Sequence, residues 1–227
     1  MGDDQMSNRS FYIEDLFPRL VKKIRDFLGK QPKFIVYTIY TICGILAVLA
    51  VYAGWHLYDR NYEKKAWELY ANIQQNLAAN PNTQLQDIAQ GLQGIVNEYP
   101  LSEAANSANY RLGSIYYFSN NVDAAISSYK AYIRRASNKD ELTTMAYISL
   151  GYANEAKGEV EKALDSYQKA EKTPNGANFS STNWQNIARM YELQNKREKA
   201  LEYYGKALKE IQDPVARRIV QSKIASL

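Results

Sequence analysis

One pattern of residues, written three times between Ala105 and Ala207, limits this chain more than any other feature. Copy one places Leu112, Gly113, Tyr116, Asn120, Ala125 and Tyr129 at fixed offsets. Copy two carries Leu150, Gly151, Asn154, Gly158, Ala163 and Tyr167; copy three carries Ile187, Ala188, Tyr191, Asn195, Ala200 and Tyr204. The copies lie 38 and 37 residues apart, a period that belongs to stacked supersecondary units rather than to one closed globule. Each copy reads as two helices joined by a turn at Asn120, Gly158 or Asn195, residue types that tolerate a left-handed backbone. Gly113 and Gly151 fall inside helices, where each costs about 1 kcal/mol against Ala, a cost that close approach of a second helix offsets. Ala188 keeps the same place small in copy three. Ala125, Ala163 and Ala200 keep the second helix slim, and the tyrosine four residues on fills the space between helices. No unit buries its apolar face alone, so the neighbours have to stack.

The register resembles the tetratricopeptide repeat. Trp184 stands at the aromatic position that opens copy three, and Ala170 and Ala207 keep the small residue late in the second helix. Tyr132 replaces that small residue in copy one, and Asn154 stands where copies one and three have tyrosine. The usual proline near the repeat end is displaced to Pro174 and Pro214. The expected fold is all-α: a single transmembrane helix followed by a short solenoid of helical hairpins and a C-terminal capping helix. Five segments are expected: a leader (1–33), a membrane span (34–58), a degenerate first repeat continuous with the anchor (59–100), three repeats (101–212) and the cap (213–227). In the cap, Asp213-Pro214 starts a helix whose Val215, Ile219, Val220 and Ile224 are available to cover the open end of the third repeat.

The span rests on composition. Phe34 to Tyr58 holds 25 residues without Asp, Glu, Lys or Arg, about 37 Å of helix against a hydrocarbon core of about 30 Å. Aromatics cluster at both ends (Phe34, Tyr37, Tyr40; Tyr52, Trp55, Tyr58), as interfacial belts do. A signal peptide cut after Val51-Tyr52-Ala53 is the competing reading; a 33-residue leader and the long apolar run favour a retained anchor. Within the leader, Phe17, Leu20, Val21, Ile24, Phe27 and Leu28 recur at spacings of three and four, opposite Arg19, Lys22, Lys23 and Arg25. Pro18 can open that helix and Gly29 can close it. A basic amphipathic helix beside a span lies on an anionic leaflet or, alternatively, packs in solvent on a partner. Basic residues dominate before the span (Arg19 to Lys33) over those after it (Arg60, Lys64, Lys65), which predicts a cytoplasmic N-terminus and a translocated, periplasmic repeat region. Beyond the span, Ala66, Leu69, Tyr70, Ile73 and Leu77 form one stripe. Ile88, Leu92, Ile95 and Tyr99 form another, with Gly91 and Gly94 permitting close contact. Asn80-Pro81-Asn82 separates the two.

Chemistry is scarce. The single histidine, His56, lies at the membrane boundary and the single cysteine, Cys43, inside the span. The repeats therefore lack the side chains for Cys–His or Ser–His catalysis and for His-ligated metal, and no enzyme activity or cofactor is expected. Carboxylates such as Asp140, Glu141, Glu159 and Glu161 stand at helix starts, where they favour the helix N-terminus. With 28 basic and 24 acidic residues overall, and seven of the basic ones in the first 33 positions, the repeats are near charge balance. That argues against a nucleic-acid footprint.

Function is then left to the concave face. The inward positions of a tetratricopeptide register fall on Tyr110, Ser114, Tyr117 and Phe118, on Met145, Ile148 and Tyr152, and on Gln185, Arg189 and Glu192. Repeats that clamp a C-terminal carboxylate carry Lys and Asn at such positions. Here Tyr110 and Ser114 stand there instead, which points away from that mode. Aromatic and Met side chains suit extended or non-native segments; burial of the same residues by the N-terminal helices is the alternative.

The whole layout resembles a narrower family, the YfgM-like ancillary subunits of the bacterial Sec translocon. Gly54-Trp55 and Tyr58 at the end of the anchor carry the likeness, with Ala66 and Tyr70 after it and Asp213-Pro214 through Lys223-Ile224 and Leu227 at the C-terminus. The resemblance implies a non-enzymatic inner-membrane partner of a SecYEG-type channel, working beside a PpiD-like chaperone on unfolded, emerging clients. Membrane lipid would be a further contact; nucleic acid and small-molecule substrates would not. The rival reading is a structural scaffold or adaptor in an envelope secretion or motility complex.

Overall fold

The computed structural model describes residues 18–27, 29–30, 32–80 and 84–227, and every regular element among them is helical. Residues 1–9, Phe17, Leu28 and the Pro81-Asn82 break, on which expectations were placed, lie outside these residues. The chain divides into two compact units, 1–60 and 61–227.

The first unit holds a helical stretch α1 (18–27) and the larger part of helix α2 (Lys33–Ala79). Among the described residues α2 is the one helix long and apolar enough to cross a membrane. Its charge-free run leaves Ile45, Leu46, Val48 and Leu49 exposed, and a Cβ built on Gly44 or Gly54 would face open space. Its length and composition are those a bilayer-crossing helix requires.

The second unit begins with residues 61–79 of α2 and continues through α3 (Leu85–Glu98), α4 (Glu103–Phe118) and α5 (Val122–Arg135). Then come α6 (Glu141–Ala156), α7 (Val160–Glu171), a 3₁₀ turn (Gly176–Phe179), α8 (Ser180–Leu193), α9 (Arg197–Glu210) and α10 (Pro214–Ser226). The pairs α4–α5, α6–α7 and α8–α9 are the three copies, each a helical hairpin. Their turns are fixed as the residue types require: φ is +60° at Asn120, +81° at Gly158 and +57° at Asn195. A Cβ on Gly113 would sit 2.6 Å from the ring of Tyr129, and one on Gly151 would collide with the ring of Tyr167. The tyrosine ring of the second helix therefore lies directly on the backbone of the first. Ser102 accepts from the Ala105 N–H at 3.0 Å to cap α4, and Asp213 accepts from the Val215 N–H at 2.8 Å to cap α10 behind Pro214.

The ends are closed differently from the middle. At the N-terminal end, Tyr70, Ile73 and Leu77 pack with Ile88, Ala89 and Leu92 of α3 against Ala108, Leu112 and Ile115 of α4. Ala66 joins Ile95, Ala104 and Ala105. Tyr62 and Glu63 add hydrogen bonds, accepting from the Leu101 and Glu103 N–H groups at 3.3 and 3.0 Å. Gly91 does allow close contact, its Cβ position lying 3.0 Å from Ile73, whereas Gly94 faces open space. Leu69 also departs from the expected stripe and is exposed. At the other end α10 covers α8 and α9 with Ala216, Val220 and Ile224, joined by Leu227 just after it. Val215 and Ile219 are exposed; each stands about 100° round the helix from its next residue on that line and faces another way.

Candidate functional site

The first helix of each hairpin presents the same register positions to one side of the stack, and each joint between copies is built there. At the second joint, Glu155 of α6 meets Arg189 of α8. Arg189 donates from Nε to Oε1 and from Nη2 to Oε2, both at 2.7 Å, the two-pronged geometry that guanidinium and carboxylate share. The Tyr167 hydroxyl donates to the same carboxylate at 3.0 Å. Arg189 also donates to the Asn186 carboxamide oxygen at 3.1 Å, and Asn186 donates to the Tyr152 hydroxyl at 3.0 Å. Burial pushes the Glu155 carboxyl upward, but Arg189 and the Tyr167 hydroxyl outweigh it and hold the group below its ordinary value. Burial, reinforced by the nearby Glu155 charge, drives the Tyr167 phenol well above 10.

The arrangement repeats one copy later. Glu192, at the offset of Glu155, accepts from the buried Tyr204 hydroxyl at 3.0 Å and from Lys223 of α10 at 3.3 Å. The cap thus closes the third joint with the same chemistry. At the first joint the equivalent places are taken by Tyr117 and Tyr152, and the Tyr129 hydroxyl donates instead to Ser114 at 3.2 Å. Rings crowd copy one's side of that joint: Tyr110 lies 5.8 Å from Tyr129 and 5.5 Å from Tyr132, and Tyr117 lies edge-on to Phe118 at 5.9 Å. Tyr110 and Tyr117 pack on the cluster that includes Leu150 and Ala153 of copy two.

The predicted inward residues consequently fall into three groups. Phe118, 80 % exposed, and Met145, 39 % exposed, offer apolar surface to solvent. Tyr110, Ser114, Tyr117, Tyr152, Gln185 and Arg189 are half-buried. Ser114, Tyr152 and Arg189 make hydrogen bonds, and Tyr110 ring contacts, to neighbouring helices, whereas Gln185 bonds to the Ser181 carbonyl of its own helix. Ile148, 8 % exposed, lies in the core beside Ala163 and Tyr167. The clusters that hold 61–79 and α3 include none of Tyr110, Tyr117 and Tyr152. Those N-terminal helices pack on Ala104, Ala105, Ala108 and Leu112 instead.

In the first unit, Arg19, Lys22, Lys23 and Arg25 are all exposed on α1, as are Leu20, Val21, Ile24 and Phe27. The helical step of roughly 100° per residue puts the two sets on opposite sides.

Sequence reasoning placed Arg189 and Glu192 on the inward face but missed their partners Glu155, Tyr167, Tyr204 and Lys223. A signal was present: an acid five residues after the register Leu or Ile recurs in copies two and three, as Glu155 and Glu192.

A family model described as a tetratricopeptide repeat-like domain matches residues 34–227. No curated protein matches the chain. Among solved structures, MamA 41-end from Desulfovibrio magneticus RS-1 superposes with a TM-score of 0.52 at 19 % identity, over 63 % of this chain and 74 % of that one. The MamA RS-1 ArsTM double mutant gives 0.53 at 18 % identity, over 66 % and 77 %. At such identities the likeness is one of fold.

Proposed function

The chain belongs to the tetratricopeptide repeat-like domain family, whose stacks are generally non-catalytic scaffolds for protein–protein contact, and from that premise we propose that it is a membrane-anchored interaction subunit. The observation that carries this reading is where the family match starts: at Phe34, the first residue of the charge-free run, so that apolar helix and repeats fall within one family match. The basic excess ahead of that helix supports an N-terminus on the cytoplasmic side of a bacterial inner membrane and repeats on the periplasmic side. Arg19, Lys22, Lys23 and Arg25, with the apolar side of α1, suit contact with anionic lipid headgroups.

More narrowly, the subunit serves the Sec translocon, assisting a periplasmic chaperone with clients that emerge from the channel. The anchor raises the local concentration of the repeats beside the channel. The aromatic first joint supplies weak, loosely specified binding through Phe118, Met145, Tyr117 and Tyr152, in contrast to the ion-paired second and third joints. Extraction in mild detergent, capture on an affinity tag and mass spectrometry test this reading. SecYEG-type components are expected. Recovery of a secretion or motility complex without them would overturn it in favour of a structural adaptor.

The groove has its own test. Phe118→Ala with Met145→Ala should weaken binding of a denatured client by roughly tenfold, the loss of about 1–2 kcal/mol of apolar contact. Both residues are exposed, so helicity by circular dichroism should not change. Unaltered client affinity would remove this face from consideration.

A further inference from the structure

The second copy departs from the other two at one place, and the departure opens a cavity. Copies one and three carry tyrosine there. Tyr116 packs between two core clusters, and Tyr191 is buried with its hydroxyl accepting from Gln168 at 3.1 Å. Copy two has Asn154, whose short side chain leaves the ring's place unfilled. A cavity of about 370 Å³ lies there, between α5 and α7, with Leu150, Asn154 and Ser166 at its base and Ile133 and Tyr147 on its walls.

The polar group at the base is incompletely satisfied. Asn154 is 2 % exposed and donates from Nδ2 to Ser166 Oγ at 3.3 Å. Ser166 in turn donates to the Lys162 carbonyl at 2.8 Å. The Asn154 Oδ1 has no hydrogen-bond partner among the described residues. Two other buried asparagines, Asn106 and Asn183, share that condition, but neither lines this cavity. A buried acceptor without a donor is costly and is satisfied by whatever donor enters.

The rim is basic. Lys130, Arg134, Lys162 and Lys169 surround the opening, with Asp165 as the acid among them. Lys169 pairs with Asp165 at 2.7 Å and Lys162 with Glu159 at 2.8 Å. Lys130 and Arg134 are exposed and make no ion pair among the described residues. The opening also lies away from the inward face. At roughly 100° per residue, Tyr147, Leu150 and Asn154 occupy the side of α6 opposite Met145 and Tyr152.

We propose that this cavity is a docking site for a tyrosine side chain carried on an acidic segment of a protein partner. The ring takes the volume that Tyr116 and Tyr191 fill in the sister copies. Its hydroxyl donates to Asn154 Oδ1, and flanking carboxylates meet Lys130 and Arg134. Aromatic anchors in a desolvated pocket with a charged rim are the usual architecture of an interaction hot spot. The site is independent of the inward face and of any translocon role.

The test uses the full chain in detergent micelles and a fluorescein-labelled Asp-Glu-Asp-Tyr-Asp-Glu-Asp peptide, read by anisotropy. Saturable binding is expected. Replacing the peptide tyrosine with phenylalanine should weaken it by up to about tenfold, the worth of one hydrogen bond, and replacing it with serine should abolish it. Asn154→Tyr, which refills the cavity with the chain's own ring, should also abolish binding, with a melting temperature equal to or above that of the parent. Lys130→Glu with Arg134→Glu touches only exposed side chains and should weaken binding by at least about tenfold, which keeps the question decidable if Asn154→Tyr does not fold. Absence of binding overturns the proposal. So does equal affinity for the tyrosine and serine peptides, which would show a basic surface attracting acid without a pocket.

Discussion

The ion pair between Glu155 and Arg189 shows how single side chains decide the character of a joint. Both partners are partly shielded, with 24 % and 36 % of their side chains exposed, and both prongs of the guanidinium are used. Glu155→Gln should destabilise the stack by about 1–3 kcal/mol, since it leaves Arg189 partly buried with a neutral acceptor. The effect depends on pH in a defined direction. The Glu155 carboxyl is held below its ordinary 4.5 in the folded chain, so its contribution is complete above that value and is lost as pH falls through the lower folded one. Thermal melts of parent and Glu155→Gln should therefore differ at pH 7 and converge in the acid range. A constant difference down to pH 3 would contradict this role. The recurrence of an acid at Glu155 and Glu192 was legible, but its partners were not, because a helical acid does not name the Arg and Tyr that meet it until the neighbouring helices are placed. The tyrosine on glycine was legible, because a helical glycine followed at a fixed offset by a helical tyrosine already specifies a close approach of ring to backbone.

At the scale of elements, most of what the sequence announced is local chemistry: a left-handed turn at Asn120, Gly158 and Asn195, an Asp-Pro start at Asp213. Such signals depend on a few neighbouring residues and survive without knowledge of the fold. What depends on helix rotation was less legible. In α10, Val215 and Ile219 match a helical apolar pattern as well as Ala216 and Val220 do, yet only the second line reaches α8 and α9. Gly94 reads like Gly91 but has no neighbour. The cap has a measurable duty. A chain ending at Gln212 leaves Tyr191, Tyr204 and Ile211 without the cover of Val220 and exposes an apolar end of the kind that self-associates. Sedimentation should show oligomers for the shortened chain and not for the parent. A monomer with unchanged melting temperature would mean that α10 is dispensable.

For the whole molecule, the division at residues 60 and 61 has a direct consequence. Residues 61–227 contain their own apolar clusters from Ala66 to Leu227, so the segment produced alone should be soluble and helical. It should also melt in one cooperative step, because each hairpin is stabilised mainly by its neighbours. Two separated transitions by circular dichroism would show that the copies fold independently. The all-α fold with an apolar N-terminal helix was legible because both rest on periodicity and composition over many residues. The pocket at Asn154 was not: the sequence shows a missing tyrosine, but only the packed helices show that nothing else takes its place.

The unlike joints also bear on how the chain can vary between lineages. Glu155 with Arg189, and Glu192 with Lys223, are each two halves of one contact. Losing one half strands the other, so descendants should change both together or neither, and substitutions there should arrive as compensated pairs. Tyr117 at the first joint carries no charge to balance and can drift alone through other apolar residues, whereas Tyr152 is tied by its hydroxyl to Asn186. An alignment of descendants should therefore show coupled columns at the second and third joints and a free one at Tyr117.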